Sequence, residues 1–179
     1  MILKSYIVEQ NLDILSNYQA VLIYGENEGI KNSIKIKLKE INKNSEIISF
    51  FEDEITKNKN LLYENIANES LFNEKKIIFI QSATDKILNE VIECLEKYNP
   101  NTKVYIFSEN LDKKSKLRNL FEKEKKLAIF CCYEDNEKTL INYINNELSG
   151  YKGLTGEIIN FIISNSSLNR RIIQSEIVK

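Results

Sequence analysis

The sequence predicts a three-layer α/β unit, built on a parallel five-stranded sheet, followed by a small helical unit. Five short runs rich in Ile, Val, Phe and Tyr, at residues 20–24, 46–51, 76–81, 103–107 and 126–132, are separated by amphipathic stretches. Strands that alternate with helices are joined by right-handed βαβ crossovers, which makes the sheet parallel and places helices on both of its faces. The runs are almost continuous in apolar residues, as strands covered on both faces are. After Tyr133 no strand-like run recurs, and three helical patterns fill the remainder.

A short helix over 9–15, its register fixed by Leu12 and Leu15, precedes the first strand. That strand reads Ala20-Val21-Leu22-Ile23-Tyr24 and stops at Gly25. The helix over 28–41 carries Ile30, Ile34, Leu38 and Ile41 on one stripe. A less periodic helix over 60–68 lies between the second and third strands, and the helix over 85–98 carries Ile87, Leu88, Val91, Ile92 and Leu95. Pro100 separates it from the fourth strand. A helix over 113–122 leads into the fifth. Beyond the sheet, helices are expected over 137–148, 156–164 and 168–178. Gly150 and Gly153 serve as stop signals between the first two, and Ser164 to Ser167 offer capping chemistry before the third. The expected division is 1–134 for the α/β domain and 135–179 for the small helical domain.

Composition removes several classes of function. The 179 residues carry a net charge of −1, with 42% hydrophobic and 28% charged side chains, the profile of a globular chain with no overall pull toward DNA or an anionic membrane. There is no histidine, so Cys-His pairs, serine triads built on His and His-based zinc sites are excluded. Three cysteines, Cys94, Cys131 and Cys132, with no leader peptide in front, fit reduced thiols and a cytoplasmic location. Cys131 and Cys132 are adjacent in a strand, so they should face opposite sides of the sheet and not share a metal. Cys94 lies on the apolar side of its helix and reads as a small buried hydrophobe. The apolar runs are too short and too charged to span a bilayer. No metal and no cofactor is expected.

The loop after the first strand, Gly25-Glu26-Asn27-Glu28-Gly29-Ile30-Lys31-Asn32-Ser33, occupies the place of a phosphate-binding loop but lacks its chemistry. Such a loop needs four residues between its glycines, then Lys and Ser or Thr, so that backbone N–H groups, an ammonium and a hydroxyl converge on phosphates and magnesium. Here three residues separate Gly25 from Gly29, Lys31 precedes Asn32, and Glu26 and Glu28 bring negative charge. The acidic pair that would hold magnesium after the third strand is replaced by Gln81-Ser82-Ala83-Thr84, with Asp85 several residues late. No catalytic residue is therefore expected.

An α/β domain with a phosphate-loop position, followed at once by a small helical domain, is the layout of the AAA+ superfamily. Four strings in order add to this: Leu22-Ile23-Tyr24-Gly25-Glu26-Asn27-Glu28-Gly29, Ser70-Leu71-Phe72-Asn73-Glu74-Lys75-Lys76-Ile77-Ile78, Leu111-Asp112-Lys113-Lys114-Ser115-Lys116-Leu117-Arg118, and Cys132-Tyr133-Glu134. In these the chain resembles the delta-subunit family of bacterial DNA polymerase III clamp loaders. The resemblance implies an AAA+-type fold and no ATP hydrolysis by this subunit. It also implies binding of the sliding clamp (beta) through a short helix tipped by a Leu-Phe pair, matched by Leu71 and Phe72 beside Ser70. It implies other clamp-loader subunits as partners, DNA met indirectly within the complex and no membrane. The family's helical collar domain would follow this segment, so the expectation is a chain truncated before it.

On pattern alone Leu71 and Phe72 read as core residues introducing the third strand, and it is the resemblance that makes them an exposed wedge. Lys113, Lys114, Lys116 and Arg118 could contact DNA phosphate or a neighbouring subunit, or form the solvated face of a helix. Arg170 and Arg171 sit where many AAA+ proteins place a nucleotide-sensing arginine, and without a competent phosphate loop they read as structural or interfacial. The rival readings are a divergent P-loop NTPase that binds ATP through Lys31, and an interaction scaffold with an unrelated partner.

Overall fold

A computed structural model describes residues 1–67, 75–97 and 99–177. The sheet comprises β1 (Ala20–Tyr24), β2 (Glu46–Phe51), β3 (Lys76–Gln81), β4 (Thr102–Phe107) and β5 (Leu127–Cys131). Every pairing is parallel and the order is β2-β3-β4-β1-β5, so β1 lies inside the sheet between β4 and β5. The α/β class read from the alternating runs is the class observed.

Strand alternation sorts the side chains into two apolar layers. Val21 and Ile23 of β1, Ile77 and Phe79 of β3, and Ala128 and Phe130 of β5 share one layer. It is covered by α1 (Ser5–Gln10), a 3-10 turn at Leu12–Asn17 and α2 (Glu28–Ile41), which contribute Val8, Leu15, Ile30, Ile34 and Leu38. Ala20, Leu22 and Tyr24 face the other way with Ile78, Ile80, Leu127 and Ile129. That layer is covered by α3 (Glu52–Lys57), α4 (Asn60–Ala67), α5 (Leu88–Glu96) and α6 (Lys116–Lys123), through Ile55, Leu62, Val91, Leu117 and Phe121. Cys131 packs with this second layer and Cys132 with the first, on opposite faces.

The rest of the chain forms α7 (Glu137–Glu147), α8 (Gly156–Ser166) and α9 (Arg170–Ile177). Leu140, Ile144, Ile159, Ile163 and Ile173 make a separate small core among them.

Several boundaries differ from the sequence reading, each for a local reason. The helix expected over 9–15 is two pieces: Asn11 is extended (φ −146°), and its side-chain oxygen accepts the Asp13 N–H at 3.1 Å, restarting the chain as the 3-10 turn. β2, at one end of the strand order, is only partly covered: Ile47 and Ile48 pack against the two opposite layers, and only Phe50 is buried on it. The short α3 has no periodicity to betray it; the Glu54 carboxylate accepts the Phe51 N–H at 2.7 Å and starts it. The helix over 113–122 starts later, at Lys116, since Ser115 is its cap. The cap of α9 is Asn169, whose side chain accepts the Arg171 N–H at 3.0 Å, and not Ser164 to Ser167. Ile2 forms an extra parallel bridge to Ile129, beyond β5. The predicted ends at 68, 98 and 178 lie outside the described residues.

Candidate functional site

The carboxyl ends of β1 and β4 meet the start of α2, where the phosphate-loop position falls. Gly25 has φ +121°, and a Cβ there would collide with the Cys132 carbonyl oxygen, so only glycine fits this turn. Several backbone donors of the turn are already used. Gly25 N–H reaches the Glu109 carbonyl at 3.1 Å, Asn27 N–H the Cys132 carbonyl at 3.1 Å, and Glu28 N–H the Glu26 carbonyl at 2.9 Å. Ile30 N–H is capped by the Asn27 side-chain oxygen at 3.0 Å. The Asn27 amide group in turn donates to the Tyr133 carbonyl at 3.0 Å and to the Asp135 carboxylate at 2.7 Å.

Lys31 does not project into open space. It is 5% exposed, and its ammonium donates to the Ser108 carbonyl at 3.0 Å and pairs with Glu28 at 2.5 Å. The charge that would neutralise a phosphate is thus compensated by the chain itself.

Arg170 occupies the adjoining position from the side of α9. Its guanidinium makes a bidentate pair with Asp135, both nitrogens at 2.8 Å, pairs with Glu9 as well, and lies 4.6 Å over the Tyr143 ring. Burial would push its pKa down, but Asp135 and Glu9 outweigh that and raise it, so the group is a fixed cation. The side chain abuts Gly29: a Cβ there would be 3.0 Å from the Arg170 Cβ. Arg171, by contrast, is exposed. A cleft of about 700 Å³ runs alongside, with Glu9, Ile34, Asn142, Glu147 and Arg170 in its walls.

Asp85, the carboxylate found too late for magnesium, has a structural job. It accepts the Ser115 hydroxyl at 2.7 Å and the Lys116 and Leu117 N–H groups at 2.9 Å each, which fastens the start of α6 to the end of β3. Desolvation pushes its pKa up, but these donors win and hold it below the ordinary carboxylate value.

The four basic candidates divide into two groups. Lys113, Lys114 and Lys116 are exposed around the Asp112 turn, whose carboxylate accepts the Lys114 N–H at 2.7 Å and the Ser115 N–H at 2.9 Å. Arg118 points inward: it pairs with Glu122 at 2.7 Å, donates to the Leu111 carbonyl at 2.9 Å and stands 5.1 Å over the Tyr24 ring. Ser70, Leu71 and Phe72 lie outside the described residues. The chain leaves α4 at Ala67 and re-enters β3 at Lys76, whose ammonium donates to the Asn65 carbonyl at 2.9 Å. The sequence reading missed Glu9 and Asp135, because nothing in their local pattern links them to Arg170, 161 and 35 residues away.

No protein-family model matches the sequence, and no curated protein does. Solved structures do match. The chain is similar to the Bacillus subtilis DNA clamp loader delta protein (YqeN), at a TM-score of 0.67 and 13% identity, over 97% of this chain and 57% of that one. It is similar to domain III of the Thermotoga maritima replication initiation protein DnaA, at a TM-score of 0.56 and 15% identity, over 98% of this chain and 81% of that one. A replication initiator DnaA bound to AMPPCP and single-stranded DNA matches at a TM-score of 0.51 and 17% identity, over 96% of this chain and 58% of that one. The fold is AAA+-type. This chain thus spans 57% of the length of the delta protein it matches. Within this fold, several donors of the phosphate-loop turn are taken by the chain itself, Lys31 is compensated, and Arg170 is paired to acids. Among the described residues no helix is long and apolar enough to cross a membrane, and no group of His, Cys, Asp or Glu could hold a metal ion.

Proposed function

We propose that this chain acts in DNA replication as a non-catalytic clamp-loader subunit, one that binds the sliding clamp and helps to open it for loading onto DNA. The observation that carries this reading is the AAA+-type likeness to the clamp loader delta protein over 97% of the chain, stronger than the likeness to either DnaA structure. The partly self-occupied phosphate-loop turn supports a subunit that works by binding. Ser70, Leu71 and Phe72 are the clamp-binding element, with Leu71 and Phe72 as anchors. Burying two such side chains in a partner pocket is worth roughly 3–6 kcal/mol before ordering costs. The clamp is favoured in its opened form because this contact is made best there, while other subunits hydrolyse ATP. Lys113, Lys114 and Lys116 offer a contact to DNA phosphate or to a neighbouring subunit in that assembly.

The test is isothermal titration of the purified sliding clamp into the full chain and into the Leu71→Ala/Phe72→Ala variant. Binding by the parent, lost in the variant with an unchanged circular dichroism spectrum, is expected. A parent that does not bind the clamp refutes the function, and a variant that binds as well as the parent refutes the site.

A further inference from the structure

Beside its buried stripe, α2 has two flanks. On one, Ser33 and Lys37 face the C-terminal helices through Gln174 and Glu147. The other looks along the sheet toward β3: the Lys39 ammonium stands 5.9 Å over the Phe79 ring, and Lys35 shares a cavity of about 330 Å³ with Gln81 and Ser82 at the end of β3. Phe79 is fully buried, so the sheet is still covered there. One strand further out the cover stops. Ser49, which pairs with Phe79 in register, is exposed, and Phe51, which pairs with Gln81, is 54% exposed. Directly paired residues of a parallel sheet share a face, so Ser49 and Phe51 lie on the α2 side. The flank of α2 and the bare end of β2 form the wall and floor of an open groove.

The wall is basic. Lys35 and Lys39 are one helical turn apart, about 6 Å along the axis, and Lys43 continues the line in the turn after the helix. Among the described residues none of the three has an ion pair, whereas the other two lysines of α2, Lys31 and Lys37, pair with Glu28 and Glu147. The acids around the groove are mostly engaged or turned away. Glu28, in the Lys35 cavity, is taken by Lys31, Glu46 pairs with Lys76, and Glu54 accepts the Phe51 N–H at 2.7 Å. Glu40 sits about 100° round the helix from Lys39. Glu109 also lines the Lys35 cavity, so the positive charge is least opposed at Lys39 and Lys43. Burial pushes the Lys35 pKa down, and so does the Lys39 charge, a repulsion that an anion lying across both would relieve.

A row of uncompensated ammoniums beside an exposed aromatic ring matches the two surfaces of an unpaired nucleotide strand, whose phosphates meet the cations while a base stacks on the ring. A duplex keeps its bases stacked inward and offers nothing to Phe51. We propose that this groove binds single-stranded DNA, with Lys35, Lys39 and Lys43 along the sugar-phosphate backbone and a base on Phe51. The choice of DNA over RNA rests on the replication reading above, while the groove is separate from the clamp contact. With a net charge of −1 the chain has no overall attraction for a polyanion, so this binding is local and sensitive to salt.

The test is fluorescence anisotropy of a labelled oligothymidylate titrated with the full chain at low and at raised salt. The parent should bind, with an affinity that falls as salt rises. Lys35→Gln/Lys39→Gln/Lys43→Gln should bind about tenfold or more weakly, with the logarithmic salt slope flattened by about 2. Phe51→Ala should lose about tenfold with the slope unchanged, since stacking releases no counterions. Lys123→Gln/Lys125→Gln/Lys126→Gln removes the same charge from exposed positions elsewhere and should bind like the parent. An equal loss in that control overturns the groove. Tighter binding of an oligouridylate overturns the choice of DNA. The groove variant should keep the parent's affinity for the sliding clamp, and loss of clamp binding with strand binding intact overturns the proposal by giving the stripe to the clamp. A parent that binds the clamp but ignores the strand sinks this inference alone.

Discussion

The Arg170 side chain packs against Gly29 so closely that a Cβ on the glycine would stand 3.0 Å from the arginine Cβ and 3.2 Å from its Cγ. These are stem atoms near the α9 backbone and not the far end of a side chain, so the strain cannot be relieved by a rotamer change. Gly29→Ala should therefore push α9 away from α2 at a cost of about 1–3 kcal/mol, the usual range for overpacking. Urea denaturation measures the loss, and unchanged stability would mean that the two first turns do not press on each other in solution.

Lys31 is a structural cation in this geometry. Removing it strands the Ser108 carbonyl and frees Glu28, so Lys31→Ala should cost about 1–3 kcal/mol. Differential scanning fluorimetry with and without magnesium ATP gives the second readout: the parent melts at the same temperature in both. A parent stabilised by magnesium ATP would sink this assignment and revive the NTPase reading.

The sheet was legible because burial on both faces writes itself into sequence as unbroken apolar runs, such as Ala20 to Tyr24, and because helices at 3.6-residue spacing fall between them. What escaped is what periodicity cannot encode. β2 reads like a core strand, yet it lies at one end of the sheet, since strand order depends on which crossovers the whole chain adopts. α3 spans six residues, under two turns, too few to show a stripe. The defects of the phosphate loop could be read from Glu26, Glu28 and Asn32, but not the partners that its groups find within the chain. Lys31 finds Ser108, and Arg170 finds Glu9, across separations of 77 and 161 residues, and a single sequence carries no signal for such pairs. The expected cap for α9 failed for the opposite reason, because several adjacent Ser and Asn residues could each have served and geometry chose Asn169.

Gly25 makes a sharper prediction than any other turn residue. Its φ of +121° is one that side chains rarely adopt, and the space beside it is filled by the Cys132 backbone, which β1 holds in place through the Cys132 N–H bond to the Tyr24 carbonyl at 2.7 Å. Gly25→Ala thus combines backbone strain of about 1–3 kcal/mol with a collision against atoms that cannot yield. A strongly lowered melting temperature is expected. A variant as stable as the parent would show that the turn after β1 is not built as described.

Asp85 supplies the pH dependence. Its carboxylate is stabilised in the folded state by the Leu117 and Lys116 N–H groups and the Ser115 hydroxyl, which lower its pKa below the ordinary 3.8 despite partial desolvation. A lowered folded-state value means that the unfolded chain takes up the proton first as pH falls, so the contribution to stability is present above 3.8 and is lost as pH drops through the folded value. Asp85→Asn cannot accept from three donors with a full negative charge, so at neutral pH it should be less stable than the parent. Because the group is exposed, solvent screening keeps that difference modest. The difference should be flat from pH 7 to about 5 and shrink in more acidic solution, read from urea midpoints at each pH. If instead the two proteins differ equally at every pH, the carboxylate charge is not what fastens α6 to β3, and the loss must come from changed shape alone.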